Sequence, residues 1–132
     1  MYTRKITIVK IVKTNAGLNE DLQWFSNTLG LFGIRDKEKS CFRVFLEILK
    51  TSKYNKGISS DQIAIRSNLS RATVIHHLHT LVSKGLIISS DNKYLLRVQN
   101  LEELVDLIKS ESEDLFKELK KTAKSIDNQL GL

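Results

Sequence analysis

The sequence predicts a mainly α chain with a small β wing, on three observations. Apolar residues recur at helical spacing behind polar capping residues. Residues 58–98 set two short capped segments ahead of a hairpin pattern. A last apolar stripe runs from Leu101 to Leu130 with no proline to interrupt it.

Composition fits that class. The 132 residues suffice for one modest core, and a hydrophobic fraction of 41% is that of a globular chain. No apolar run nears the length of a membrane span, and Lys10 and Lys13 interrupt what would have to be a signal-peptide core, so no membrane association is expected. Cys41 stands alone, which excludes an intrachain disulfide and points to a cytoplasmic chain. The net charge of +6 is uneven: residues 1–57 contribute +6, residues 58–98 contribute +3 and residues 99–132 contribute −3. A polyanion drawn to the body but not to the tail is the simplest physical reading.

An N-terminal extension, residues 1–35, comes first. The β-branched positions Ile6, Ile8, Val9 and Ile11 predict a strand over Lys5 to Thr14, closed by Asn15-Ala16-Gly17. Asn19 ahead of Glu20 and Asp21 predicts a helix start. That helix carries Leu22, Trp24, Phe25 and Leu29 up to Gly30, and its aromatic residues are read as core.

The central segment, residues 36–98, follows. Asp36 is expected to cap a helix reaching about Thr51, with Phe42, Phe45, Leu46 and Leu49 on its buried face and Cys41 a small buried hydrophobe. After the polar, basic loop Ser52 to Gly57, Ser59 or Ser60 caps a short helix, Asp61 to Ser67, that buries Ile63 and Ala64. Asn68-Leu69-Ser70 forms a three-residue turn whose Leu69 plugs into the core, and Ser70 caps a helix from Arg71 to Lys84, ended by Gly85. Leu86-Ile87-Ile88, a turn at Ser90-Asp91-Asn92 and Tyr94 to Val98 read as a β-hairpin. Helix, short turn, capped second helix and two-stranded wing are the parts of a winged helix-turn-helix, in order.

Projecting Arg71–Lys84 at about 100° per residue separates two faces. Val74, Leu78, Leu81 and Val82 cluster on one, with Ile75 at its margin. Ala72, Thr73, His76, Thr80 and Ser83 lie opposite, with His79 and Lys84 at the edges. The outer face is short, polar and nearly free of acids, so it can enter a major groove without repelling phosphates.

This segment resembles the winged helix-turn-helix of the MarR, ArsR and related archaeal regulator families. The resemblance rests on a hydroxyl cap, an aliphatic residue four on and a leucine before Gly-Leu-Ile, here Ser70, Val74, Leu81, Gly85, Leu86 and Ile87. It implies that Arg71–Lys84 is the recognition helix, with Lys93 and Arg97 in or beside the wing, near phosphate or minor groove. The expected DNA-binding set is Ser70, Arg71, Ala72, Thr73, His76, His79, Thr80, Lys84, Lys93 and Arg97. Where such helices often carry Arg or Lys, this one has His76, His77 and His79, so phosphate affinity falls to the flanking cations. His76 and His79 could share a metal, but the cysteine-rich ligand set of metal sensors is missing; no metal, cofactor or small-molecule effector is expected. No nucleophile–base spacing or glycine-rich phosphate loop supports catalysis, so the chain is not read as an enzyme.

Asn100 caps the last helix, residues 99–132. Its stripe of Leu101, Leu104, Ile108, Leu115, Leu119, Ile126 and Leu130 needs a cover, and a second copy of the chain is the commonest solution. Glu111 interrupts a strict heptad. The leading expectation is a homodimeric transcriptional regulator of double-stranded DNA, in the cytoplasm and associated with the nucleoid. Two alternatives stay open: an abundant architectural, chromatin-like DNA-binding protein with little sequence preference, and a protein-interaction winged-helix scaffold without DNA binding.

Overall fold

In the computed structural model, residues 6–11, 13, 17–31 and 39–132 are described. They form five helices and a small antiparallel sheet: α1 (Leu18–Thr28), α2 (Ser40–Ser52), β1 (Ile58–Ser59), α3 (Ser60–Ser67), α4 (Arg71–Ser83), β2 (Ile87–Ser90), β3 (Lys93–Leu96) and α5 (Leu101–Leu130). The chain divides into two compact units, Met1–Arg97 and Val98–Leu132.

Within the first unit, α2 packs against α3, α4 and β3. Val44, Phe45 and Ile48 of α2, Ile63 of α3, Val74, Leu78 and Leu81 of α4 and Leu86 at the wing's base are inaccessible to solvent. Full burial of such side chains stabilises by about 1.5–3 kcal/mol each. The face α2 buries differs from the expected one. Phe42 and Phe45 are buried, but Leu46 and Leu49 are only half-buried, and Val44 and Ile48 take their places. The covered arc is wide because α2 has neighbours on two sides, and spacing alone cannot phase such an arc. Cys41 is buried as expected.

The local signals from residue 58 onward are realised as hydrogen bonds. Ser59 Oγ accepts from the Gln62 amide and Gln62 Oε1 accepts from the Ser59 amide, both at 3.2 Å, a reciprocal capping box. α3 ends on Asn68 in the left-handed region (φ 54°), and half-buried Leu69 donates its amide to the Ala64 carbonyl. Ala64 is itself half-buried rather than buried. Ser70 Oγ accepts from the Thr73 amide at 3.1 Å and starts α4; Gly85, at φ 76°, follows its end. Asp91 and Asn92 both have positive φ (52° and 60°), the two-residue turn whose twist suits a hairpin.

The sheet order is β1-β3-β2, with Ile58 opposite Tyr94, Ser59 opposite Lys93 and Ile87 opposite Leu96. The wing thus has a third strand that the sequence reading lacked. Two residues are too few for a period of two to register.

The N-terminal region departs further. Residues 6–11 form no strand; the Val9 amide donates to the Thr28 carbonyl at 2.9 Å and Trp24 Nε1 to the Ile11 carbonyl at 3.0 Å, so this stretch is held by α1. A β-branched pattern needs a partner edge before it becomes a strand. Asn19 lies inside α1, whose N-cap is Gly17 without a side-chain bond. Trp24 and Phe25 are half-buried, while Ser26, Leu29 and Leu31 are buried. Asp36, the ends of the expected strand (Lys5 and Thr14) and the Asn15-Ala16 turn lie outside the described residues. α2 begins at Ser40, behind Lys39 at φ 53°.

In the second unit, Asn100 Oδ1 accepts from the Glu103 amide at 2.8 Å and opens α5, and Gly131 (φ 75°) closes it. α5 buries Leu104 and Ile108; every residue from Glu113 to Leu132 is exposed. Among the described residues no helix is long and apolar enough to cross a membrane.

Candidate nucleic-acid interface

The outward face of α4 is the one its helical period predicts. Arg71, Ala72, His76, His79 and Ser83 are exposed; Thr73, Thr80 and Lys84 are half-buried at its margins. Val74, Leu78 and Leu81 anchor the opposite face, so the helix cannot roll without opening the core.

Several candidate side chains are already occupied. Ser70 Oγ donates to Thr73 Oγ1 at 2.8 Å while capping the Thr73 amide. Thr80 Oγ1 donates to the His76 carbonyl at 3.2 Å, and Ser83 Oγ to the Thr80 carbonyl at 2.8 Å. These hydroxyls turn back on their own helix, Thr80 and Ser83 to its carbonyls and Ser70 to Thr73, which spends their protons. The histidines divide as well. His76 and His79 face out, whereas half-buried His77 is hydrogen-bonded through Nε2 to buried Ser40 Oγ at 2.6 Å and fastens α4 to α2. Among the described residues no group of three or more His, Cys, Asp or Glu side chains could hold a metal ion.

The cations fall into two groups. Arg71 Nε lies 3.4 Å from Asp61 Oδ1, with both side chains about two-thirds exposed. Asp61 stands two residues after Ser59, and Ser59 is paired across the sheet with exposed Lys93. The wing, the start of α3 and the start of α4 therefore form one continuous strip carrying Lys93, Asp61 and Arg71. Lys84 and Arg97 lie at the other end of α4. A Cβ built on Gly30 would come within 3.7 Å of Lys84 Nζ, so the N-terminal region flanks that amine. Arg97 is half-buried at the base of the wing, donating its amide to the Leu86 carbonyl at 3.1 Å and Nη1 to the Gly85 carbonyl at 3.5 Å.

Asp61 is the residue that sequence reading missed. It sits in the first turn of α3, where an acid suits the helix dipole. Its ion-pair partner Arg71 comes from across the turn, and nothing in linear spacing announces that contact.

Residues 46–88, about a third of the chain, match a family model described as winged helix-turn-helix DNA-binding. That span runs from the middle of α2 through α3 and α4 into β2. No curated protein and no solved structure matches the chain. By its element order, its sheet and this match, the fold is that of a winged helix-turn-helix, with a DNA-binding type of segment at its centre.

Proposed function

We propose that the chain is a DNA-binding transcriptional regulator of the MarR/ArsR-like kind, acting as a homodimer. The observation that supports this most is the acid-poor outer face of α4 joined at its start to Arg71 and to the wing's Lys93. α4 is the element for the major groove, and the strip from Arg71 to Lys93 is the track for the flanking phosphates. Ala72, His76 and His79 are the exposed groups for base edges, with Thr73 and Thr80 beside them.

A second reading has its own support. With the Thr80 and Ser83 protons spent on their own helix, few donors are left to read bases, which favours an architectural binder with little sequence preference. Titrating the chain on random duplexes and on duplexes selected from random DNA, each at two salt concentrations, separates the readings. A regulator gives a specificity ratio of roughly a thousandfold or more. An architectural protein gives steep salt dependence without preference. No binding at low salt overturns both and leaves a protein-interaction scaffold.

A further inference from the structure

The loop between α2 and β1 carries charge that the face of α4 does not use. Residues 48–60 hold Lys50, Lys53 and Lys56 and no acid. Lys50 is held by Glu47 on α2, at 3.4 Å. Of the acids closest in the fold, Glu47 is thus engaged, Asp61 is bound to Arg71, and Asp91 stands at the turn of the wing. Lys53, Lys56 and Lys93 are exposed, and none of them forms an ion pair among the described residues.

The loop has a defined shape. The Tyr54 amide donates to the Thr51 carbonyl at 3.1 Å and the Asn55 amide to the Ser52 carbonyl at 3.2 Å, winding the chain past the end of α2. Asn55 and Gly57, at φ 53° and 72°, then turn it into β1. Lys53 Nζ stands 5.0 Å from the centre of the Tyr54 ring, which keeps that amine beside the loop.

β1 sets this loop against the wing. A Cβ built on Gly57 would come within 3.0 Å of Lys93 Cβ, so Gly57 lies on the face of the sheet that carries Lys93. Lys56 is the next residue, its Cα about 3.8 Å from that of Gly57. Lys93 is paired in turn with Ser59, two residues before Asp61 and its partner Arg71. By direct contacts within one compact unit, the cations run from Lys53 and Lys56 through Lys93 to Arg71. Lysines gathered without acids repel one another and raise the local potential, which suits a polyanion.

We propose that the α2–β1 loop is a further phosphate-binding site, in which Lys53 and Lys56 hold the backbone of double-stranded DNA beyond the wing. This rests on the DNA-binding reading above and lengthens its phosphate track. Lysine amines on flexible stems meet phosphates as point charges, so the loop adds affinity and fixes position without reading sequence. Tyr54 is a positioning residue, its ring carrying the Lys53 amine.

The test compares two variants of equal net charge. One carries Lys53→Gln and Lys56→Gln; the other carries Lys120→Gln and Lys124→Gln in α5. All four side chains are exposed, and thermal melts followed by circular dichroism check that both variants fold. Each is titrated with a random-sequence duplex at several salt concentrations. The loop variant is expected to bind roughly tenfold more weakly at low salt, with the slope of log K against log salt reduced by about two, because two phosphates keep their counterions. The α5 variant keeps the wild-type slope. A loop variant with the wild-type slope, or an α5 variant that loses as much, overturns the loop site and leaves the DNA-binding reading standing. A wild-type chain that binds no duplex even at low salt overturns that reading itself, and the loop site with it.

Discussion

Asp61 is an acid on a surface otherwise suited to phosphate, and it occupies Arg71, the cation at the start of α4. An exposed pair of this kind contributes roughly 0–1 kcal/mol to folding, so its consequence falls on binding. Asp61→Asn frees Arg71 and removes one repulsive charge, and affinity for duplexes of any sequence rises, roughly three- to tenfold at low salt. Arg71→Ala works the other way: binding weakens on all sequences and the slope of log K against log salt falls by about one. Titrations at several salt concentrations check both, and equal affinities for wild type and Asp61→Asn would mean that no phosphate approaches this strip. At the same scale, Ser70→Ala removes the cap of α4 and lowers stability by about 1 kcal/mol in a denaturant melt. The caps Ser59, Ser70 and Asn100 were legible in the sequence because each acts within three positions of itself, whereas Asn19, expected to cap α1, lies inside it. The inward turn of His77 was not legible, since its partner Ser40 is thirty-seven residues away.

Between residue and molecule stand the elements, and they were legible in proportion to their length. α4 and α5 followed from period and cap together, and the hairpin from its turn residues. β1 escaped notice, yet it joins the wing to α3, because its two residues pair with Tyr94 and Lys93. Gly57 makes that pairing possible. Its φ is 72°, and an added Cβ would overlap the Leu95 side chain and come within 3.0 Å of Lys93 Cβ and 3.2 Å of the Tyr94 carbonyl. The left-handed backbone alone costs about 1–2 kcal/mol for a residue other than glycine. Gly57→Ala is therefore expected to lower the melting temperature by several degrees and to loosen the wing, with faster amide exchange at Lys93 and Tyr94 than at Leu78. Protection that stays uniform would show that the loop shifts and β1 keeps its place. The N-terminal stretch is the reverse case, where a legible strand pattern meets no strand edge among the described residues and Val9 and Ile11 bond to α1 instead.

At the scale of the whole molecule, the body is basic and α5 is acidic overall, and α5 leaves five leucine and isoleucine or phenylalanine side chains in water beyond Ile108. The stripe itself was legible from spacing; what covers it was not, because the period of one helix says nothing about the surface that meets it. Burying a leucine fully is worth about 1.5–3 kcal/mol, so a single charge in the stripe outweighs any one of its apolar contacts. Leu115→Asp puts that charge where the exposed stripe begins, on a side chain that is 57% exposed and so contributes little to the fold of its own unit. The proposed homodimer predicts that this variant keeps its melting temperature at low concentration but sediments at half the mass of wild type. Its DNA affinity falls further than the loss of one contact would explain, because two linked winged helices bind through an effective concentration that a monomer lacks. A variant that melts early instead, at unchanged mass, would place the stripe's cover within a single chain and overturn its part in the pairing.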